Sequence, residues 1–445
     1  MSFLQFGIIK KLPLQILIKK IKYRLSSLAL LNKLFVSGGL TFLFRIGGLG
    51  INFLVMLIIT NQYGDKVYGS YSLVFTLAQA AGLLFALGFP NALVSHLGLR
   101  SMNDPFSQQM FRKGLGILAA ITLIPFLLFF FGADYIAEYV FGSKQLSDYI
   151  LIAAFTIPAM MLHEFVLYFF IATGNFIKFN IFMFLVPNII LLLLLFFITN
   201  IPGSYTFLFY TISVVGVLAI ECVFALKKYS GSKEKTMSAK AMIKYASPMM
   251  FSGLMLYLLN WTDVFLLGAM VSEEEVGYYN LAYRIASLSM LVIASINVVI
   301  APRVAKLYKD GDLKAMHSEV KKSTHIIIAL TTPIVLGIIL LSDFLLTLFG
   351  KSFGNGREAL IIISAGFLLN AATGTVDQVL NMTGNQKVLQ NITIMGFVLN
   401  AVLNVMLIPE YGINGSAMAS LITNVVFNFT CAYYIKKKLG FYTFA

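Results

Sequence analysis

Twelve apolar stretches, each long enough to cross a bilayer as a helix, follow one another along this chain. They cover roughly residues 33–60, 68–97, 112–132, 147–173, 178–199, 205–227, 244–271, 276–305, 322–349, 357–381, 386–408 and 412–435. The hydrocarbon core of a bilayer demands about 20 apolar residues of a helix. Over such runs only helices satisfy their own backbone polar groups. The expected fold is therefore an all-α polytopic membrane protein. Composition agrees, with 59% apolar residues, 12% charged residues and a mean hydropathy of +0.85. A soluble domain carries about 25% charged residues. Soluble enzymes, secreted modules and disordered chains are thus excluded together. The two cysteines, Cys222 and Cys431, both lie in apolar runs, which argues against a disulfide framework and a cysteine-based metal site.

The net charge of +14 is a topology signal before it is anything else. With the N-terminus inside, only Lys66, Lys144, Lys351 and Arg357 fall in outside loops, and Arg45 and Arg284 fall inside spans. The other 27 of the 33 lysines and arginines lie on the cytoplasmic side. One extra or missing span would invert every later loop and destroy this asymmetry. Both termini are therefore expected in the cytoplasm, and nucleic acid is not expected as a partner. Lys10 and Lys11 end the first apolar run with no small-residue cleavage site after them, so a signal peptide is not expected. Residues 1–32 read instead as a basic amphipathic segment on the inner leaflet, with Leu14, Leu17, Ile18, Ile21, Leu25 and Leu28 on one face.

The chain also repeats itself. A shift of 208 residues aligns Gly69 with Gly277, Tyr71 with Tyr279 and Leu73 with Leu281. A shift of 210 aligns Gly174-Asn175 with Gly384-Asn385. Between the two copies lies the longest polar, lysine-rich stretch, residues 228–243. Six spans on each side mean that both copies start inside, so the repeat is parallel. The expected architecture is two parallel six-helix lobes, residues 33–227 and 244–438, with a central cavity between them.

Several motifs in order resemble one family. Tyr68-Gly69-Ser70-Tyr71 with Gly88-Phe89-Pro90, Val276-Gly277-Tyr278-Tyr279 with Ala301-Pro302, and Gly384-Asn385-Gln386-Lys387 with Asn400, Asn404 and Ile408–Ala417 carry the likeness. They resemble the polysaccharide-transporter branch of the multidrug/oligosaccharidyl-lipid/polysaccharide exporters over about residues 33–435. The resemblance implies a Wzx-type flippase that moves an undecaprenyl-pyrophosphate-linked oligosaccharide across a bacterial-type inner membrane. It implies a transporter without a cofactor, not an enzyme, and leaves room for a polysaccharide polymerase and assembly proteins as partners beside membrane lipids. The rival reading within this fold is a cation-coupled multidrug antiporter. Such antiporters commonly place a carboxylate in the first span of a lobe, where this chain has Arg45. The extended N-terminus departs from the short leader usual in the family.

Charges inside spans are costly and usually face a cavity or a partner. Arg45, about 12 residues into its span and surrounded by Gly38, Gly39, Gly47, Gly48 and Gly50, is the first candidate for gripping a pyrophosphate. Glu164 is its alternative partner. Asp263 and Arg284 lie at similar depth on either side of the Ser272–Glu275 turn and are expected to pair, with Arg284 free to switch to an anionic cargo. His163 and Glu164 are candidates for a proton relay. No metal site is expected. Gly350-Lys351-Ser352 imitates the end of a phosphate-binding loop, but Leu345 stands where its first glycine belongs.

Overall fold

A computed structural model describes residues 14–228 and 238–444, with side chains from residue 41 onward save those of 239, 248, 249, 251 and 252. The side chains of the expected amphipathic segment and residues 229–237 of the expected linker therefore lie outside the described residues. Every described element is helical. Nine helices among the described residues are long and apolar enough to cross a membrane, or ten if Lys351–Thr373 and Val376–Met382, bent by 44°, form one span.

Helix α1 (Leu14–Phe85) is broken at Gly64, where φ is 87°. This is backbone that glycine adopts without steric cost. Its apolar part runs for 45 residues. At ~1.5 Å per residue that is about twice what one crossing needs. α2 (Phe89–Leu97) follows a second break, where Leu87 and Gly88 both take positive φ and Pro90 sits in the first turn. α3 (Pro105–Ile121) is capped by Asp104, which accepts from the Ser107 amide, and continues into α4 (Leu123–Tyr135). α5 (Leu146–Ala172) keeps Pro158 inside it. α6 (Phe176–Asn180) and α7 (Val186–Phe197) are joined by a π-helical turn, residues 181–185, with Pro187 starting α7. Thus Pro90 and Pro187 open helices instead of interrupting them, because the missing N–H is harmless in a first turn. α8 (Tyr205–Ala225) ends the first half.

The second half begins with α9 (Ala239–Met270), capped by Ser238, and α10 (Glu273–Ser287). A capping box of Ser272 and Glu275 starts α10 and fixes the tight turn between them. α11 (Met290–Lys309), α12 (Leu313–Leu340) and α13 (Ser342–Thr347) follow, then α14 (Arg357–Thr373) and α15 (Val376–Met382). α16 (Gln386–Leu439) is broken at Gly412, with φ of 53°. The largest buried apolar cluster runs through both halves of the chain, and a second is confined to residues 300–441.

Candidate functional site

The two halves meet where α1 crosses α10. A Cβ on Gly69 would fall 1.6 Å from the Glu273 carbonyl oxygen, and one on Gly277 would fall 3.0 Å from the Asp65 carbonyl oxygen. Only glycine allows backbones this close. The glycines that the 208-residue shift aligns are therefore packed against each other's helices. Around them Tyr278 donates to Asp65 at 2.6 Å, Lys66 lies 4.0 Å from Glu274, and Ser143 donates to Glu273. Asn61 donates to the Leu348 carbonyl at 3.1 Å. Burial alone would raise the Asp65 carboxyl. The hydrogen bonds from Tyr278, Ser352 and the Lys66 amide outweigh it and hold the group below its ordinary range. The seam joins the two halves at the end of the molecule that the charge pattern leads one to expect outside.

Two turns further along α10 is Arg284, half-buried in a chain of neutral groups. Its Nε donates to Asn280 at 2.8 Å and its guanidinium to Asn52 at 3.3 Å. Tyr68 donates to the same Asn280 oxygen at 3.2 Å, and Asn52 donates to Asn188 at 3.5 Å. The chain ties α1, α7 and α10 together. No carboxylate among the described residues lies within ion-pair distance of Arg284. Beside it, α1 and α10–α13 line an open apolar groove of about 610 Å³ that includes Phe53, Ile285, Leu288 and Ile338.

The expected pairing of Asp263 with Arg284 does not occur. Asp263, 2% exposed, accepts from Tyr279 at 2.6 Å, from Asn404 at 3.1 Å and from Ser420. Equal depth on neighbouring helices does not fix which way a side chain faces. Here Tyr279, five residues before Arg284, carries the face turned to Asp263. The expected relay changes partners in the same way. His163 lies 2.9 Å from Glu221 on α8. Adjacent residues point to different helix faces, and Glu164 is outside that pair. Arg45 is exposed, its guanidinium 5.4 Å from the Phe184 ring centre, and Glu164 is not its partner. Gly48 explains the contact: a Cβ there would lie 2.5 Å from the Phe184 carbonyl oxygen, so α1 presses directly on the π-helical turn.

Inward from Asp263 opens a polar cavity of about 540 Å³ within the second half. Its walls carry seven asparagines, Asp377 and Gln378, and no lysine or arginine. Asp377 lines this cavity near the start of α15. Neutral amides carry no charge to mark them within a span. The i, i+4 pairs Asn400/Asn404 and Ser416/Ser420 were the available signal. Among the described residues no three His, Cys, Asp or Glu side chains converge to hold a metal ion.

Comparison with known proteins gives this geometry a context. Residues 36–308 match the family described as polysaccharide biosynthesis protein, and residues 248–406 match the MatE family. A Haloferax volcanii protein described as "Probable low-salt glycan biosynthesis flippase Agl15" is 25% identical over 50% of this chain and 48% of its own length. The chain thus spans about half the length of that relative. The capsular polysaccharide biosynthesis protein CapF of Staphylococcus aureus is 22% identical over 86% of this chain and 95% of its own. Among solved structures, the lipid II flippase MurJ in an inward closed conformation superimposes with a TM-score of 0.74 at 16% identity, covering 90% of this chain and 87% of that one. The multidrug transporter DinF-BH gives a TM-score of 0.65 at 16% identity, covering 93% and 96%. These likenesses establish the fold.

Proposed function

The chain belongs to the family of polysaccharide biosynthesis proteins, and from that premise we propose that it is a flippase. Its cargo in this reading is an undecaprenyl-pyrophosphate-linked oligosaccharide, carried from the inner to the outer leaflet of a bacterial-type plasma membrane. Twelve spans, obtained by counting the bent pair of α14 and α15 as one span and dividing α1 at Gly64 and α16 at Gly412, form lobes 33–227 and 244–438 with both termini in the cytoplasm. Residues 1–32 and 228–243 flank and link them. The lobes rock about the seam, closed outside in the present conformation.

The observation that carries the reading is Arg284, a cation between the halves held only by amides. Leaving such a charge without a counter-ion is unfavourable within a membrane unless an anion visits it. A guanidinium grips a pyrophosphate with a planar fork of donors. The apolar groove beside it suits the polyprenyl chain. Arg45, on the same helix as Asn52, is the second cation assigned to the pyrophosphate. Asp263, and His163 with Glu221 and the adjacent Glu164, are assigned to coupling, as the ionisable groups set within the helices. A multidrug antiporter would seek cationic cargo, which Arg45 and Arg284 repel.

Arg284→Ala should abolish surface glycan in cells that depend on the protein while the protein still accumulates in the membrane. Arg284→Lys should retain part of the export, because the charge persists and the fork is lost. Undiminished surface glycan with Arg284→Ala at ordinary protein levels overturns the assignment.

A further inference from the structure

The asparagine-lined cavity is a poor site for a pyrophosphate, because it offers Asp263 and Asp377 and no cation. It suits a lipid chain less well than the apolar groove beside Arg284, because amides and hydroxyls interrupt its walls. A side-chain amide both donates and accepts, which is the complement of a hydroxyl group that does the same. The Thr423 hydroxyl, on a residue 2% exposed, and the buried side-chain amide oxygen of Asn297 find no hydrogen-bond partner among the described residues. Both line this cavity. Buried polar atoms without partners are costly and await something that pairs with them.

Next to the amides stands an aromatic wall. Trp261 lies between Tyr257, at 6.1 Å, and Tyr283, at 5.6 Å between ring centres. These rings line an adjoining pocket of about 370 Å³ that shares Leu256, Asn260 and Tyr283 with the main cavity and reaches Leu83 of the first half. Ring faces pack against the C–H faces of pyranose sugars. Arg284 lies close enough to Tyr257 for its charge to act on that hydroxyl, so a group held at the guanidinium lies near this aromatic wall.

We propose that the amide-lined cavity and its aromatic wall receive the uncharged sugars of the cargo while Arg284 holds its pyrophosphate. The inference rests on the flippase reading and adds to it a division of labour and a preference. Neutral, hydroxyl-rich sugars are accepted, and acidic sugars are repelled by Asp263 and Asp377. A volume of about 540 Å³ falls within the ~300–1,000 Å³ of small-ligand sites and accommodates a short oligosaccharide.

Trp261 is the one tryptophan of the chain, so its fluorescence reports on this wall alone. The full-length protein in lipid nanodiscs is titrated with an undecaprenyl-pyrophosphate-linked neutral oligosaccharide, with undecaprenyl pyrophosphate, and with sodium chloride. The glycolipid should shift Trp261 emission, and the bare pyrophosphate lipid should bind without shifting it. Asn297→Leu and Thr423→Val should each weaken glycolipid binding at least fivefold and leave binding of the bare lipid unchanged, which also certifies their folding. Equal Trp261 responses to the two lipids, or undiminished glycolipid affinity in both variants, overturn the proposal. So does a response to sodium with none to glycolipid, which marks a water-filled cation path. Failure of either lipid to bind the wild-type protein overturns the flippase reading itself, and this inference with it.

Discussion

Asp263 and Arg284 sit on consecutive helices, and each is satisfied by neutral partners drawn from elsewhere. Three donors converge on the carboxylate from Tyr279, Asn404 and Ser420, while two amide oxygens from Asn280 and Asn52 take the guanidinium. The two networks share no side chain. Asp263→Asn and Arg284→Gln should therefore lower the melting temperature in detergent by nearly additive amounts. The contrary holds for His163 and Glu221, 2.9 Å apart with the glutamate fully buried. Contacting residues in one network show coupling of about 0.5–3 kcal/mol. His163→Phe with Glu221→Gln should thus be far less damaging than the two changes summed. A coupled Asp263/Arg284 cycle, or an additive His163/Glu221 cycle, contradicts the geometry described.

At the scale of elements, the crossing of α1 and α10 brings the backbones of the two halves into close contact. Gly69→Ala must push the Glu273 carbonyl aside, since backbone cannot yield as a flexible side chain does. Overpacking of this kind costs about 1–3 kcal/mol, enough to shift a two-state equilibrium by about 5–150-fold. Spin labels at residues 66 and 274 should report a longer distance in Gly69→Ala, and an unchanged distance counts against the seam. Acid should act on the same contact. The Asp65 carboxyl is held below its ordinary value of 3.8, so its ionised form favours the closed seam. That contribution is complete above the ordinary value and is lost as pH falls through the depressed one. The label distance should lengthen only below about pH 4, and Asp65→Asn should erase the step. Part of this contact was legible in the sequence, because the 208-residue shift that aligned Gly69 with Gly277 singled out both glycines. The partners of Asp263 were not legible. Residue counting gives depth along a helix, whereas the face presented depends on packing among α9, α10 and α16, and amides carry no charge to flag them.

For the molecule as a whole, the lysine and arginine asymmetry and the seam make one joint claim. If the charge pattern sets the orientation, the turn at Ser272–Glu275 faces outward and residues 235 and 310 face the cytoplasm. If the seam then closes the outer end, the asparagine-lined cavity, whose walls include Gln378 and Asn381 near the inner end of α15, is reached from the cytoplasm. Both native cysteines can be replaced first, as Cys431 is buried and Cys222 half-buried, each being free. Single cysteines at 235 and 310 should then react with an impermeant maleimide only from the cytoplasm, and one at 274 only from outside. A cysteine at 424, lining the cavity, should react from the cytoplasm alone in the resting protein. Adding Gly69→Ala should make position 424 reactive from outside at the expense of the inner side, because a seam that cannot close shifts the population to the other state. Cytoplasmic labelling at 274 would dismiss the twelve-span orientation. Labelling of 424 from the same side with equal speed in both proteins would leave the orientation intact and dismiss the rocking of two lobes.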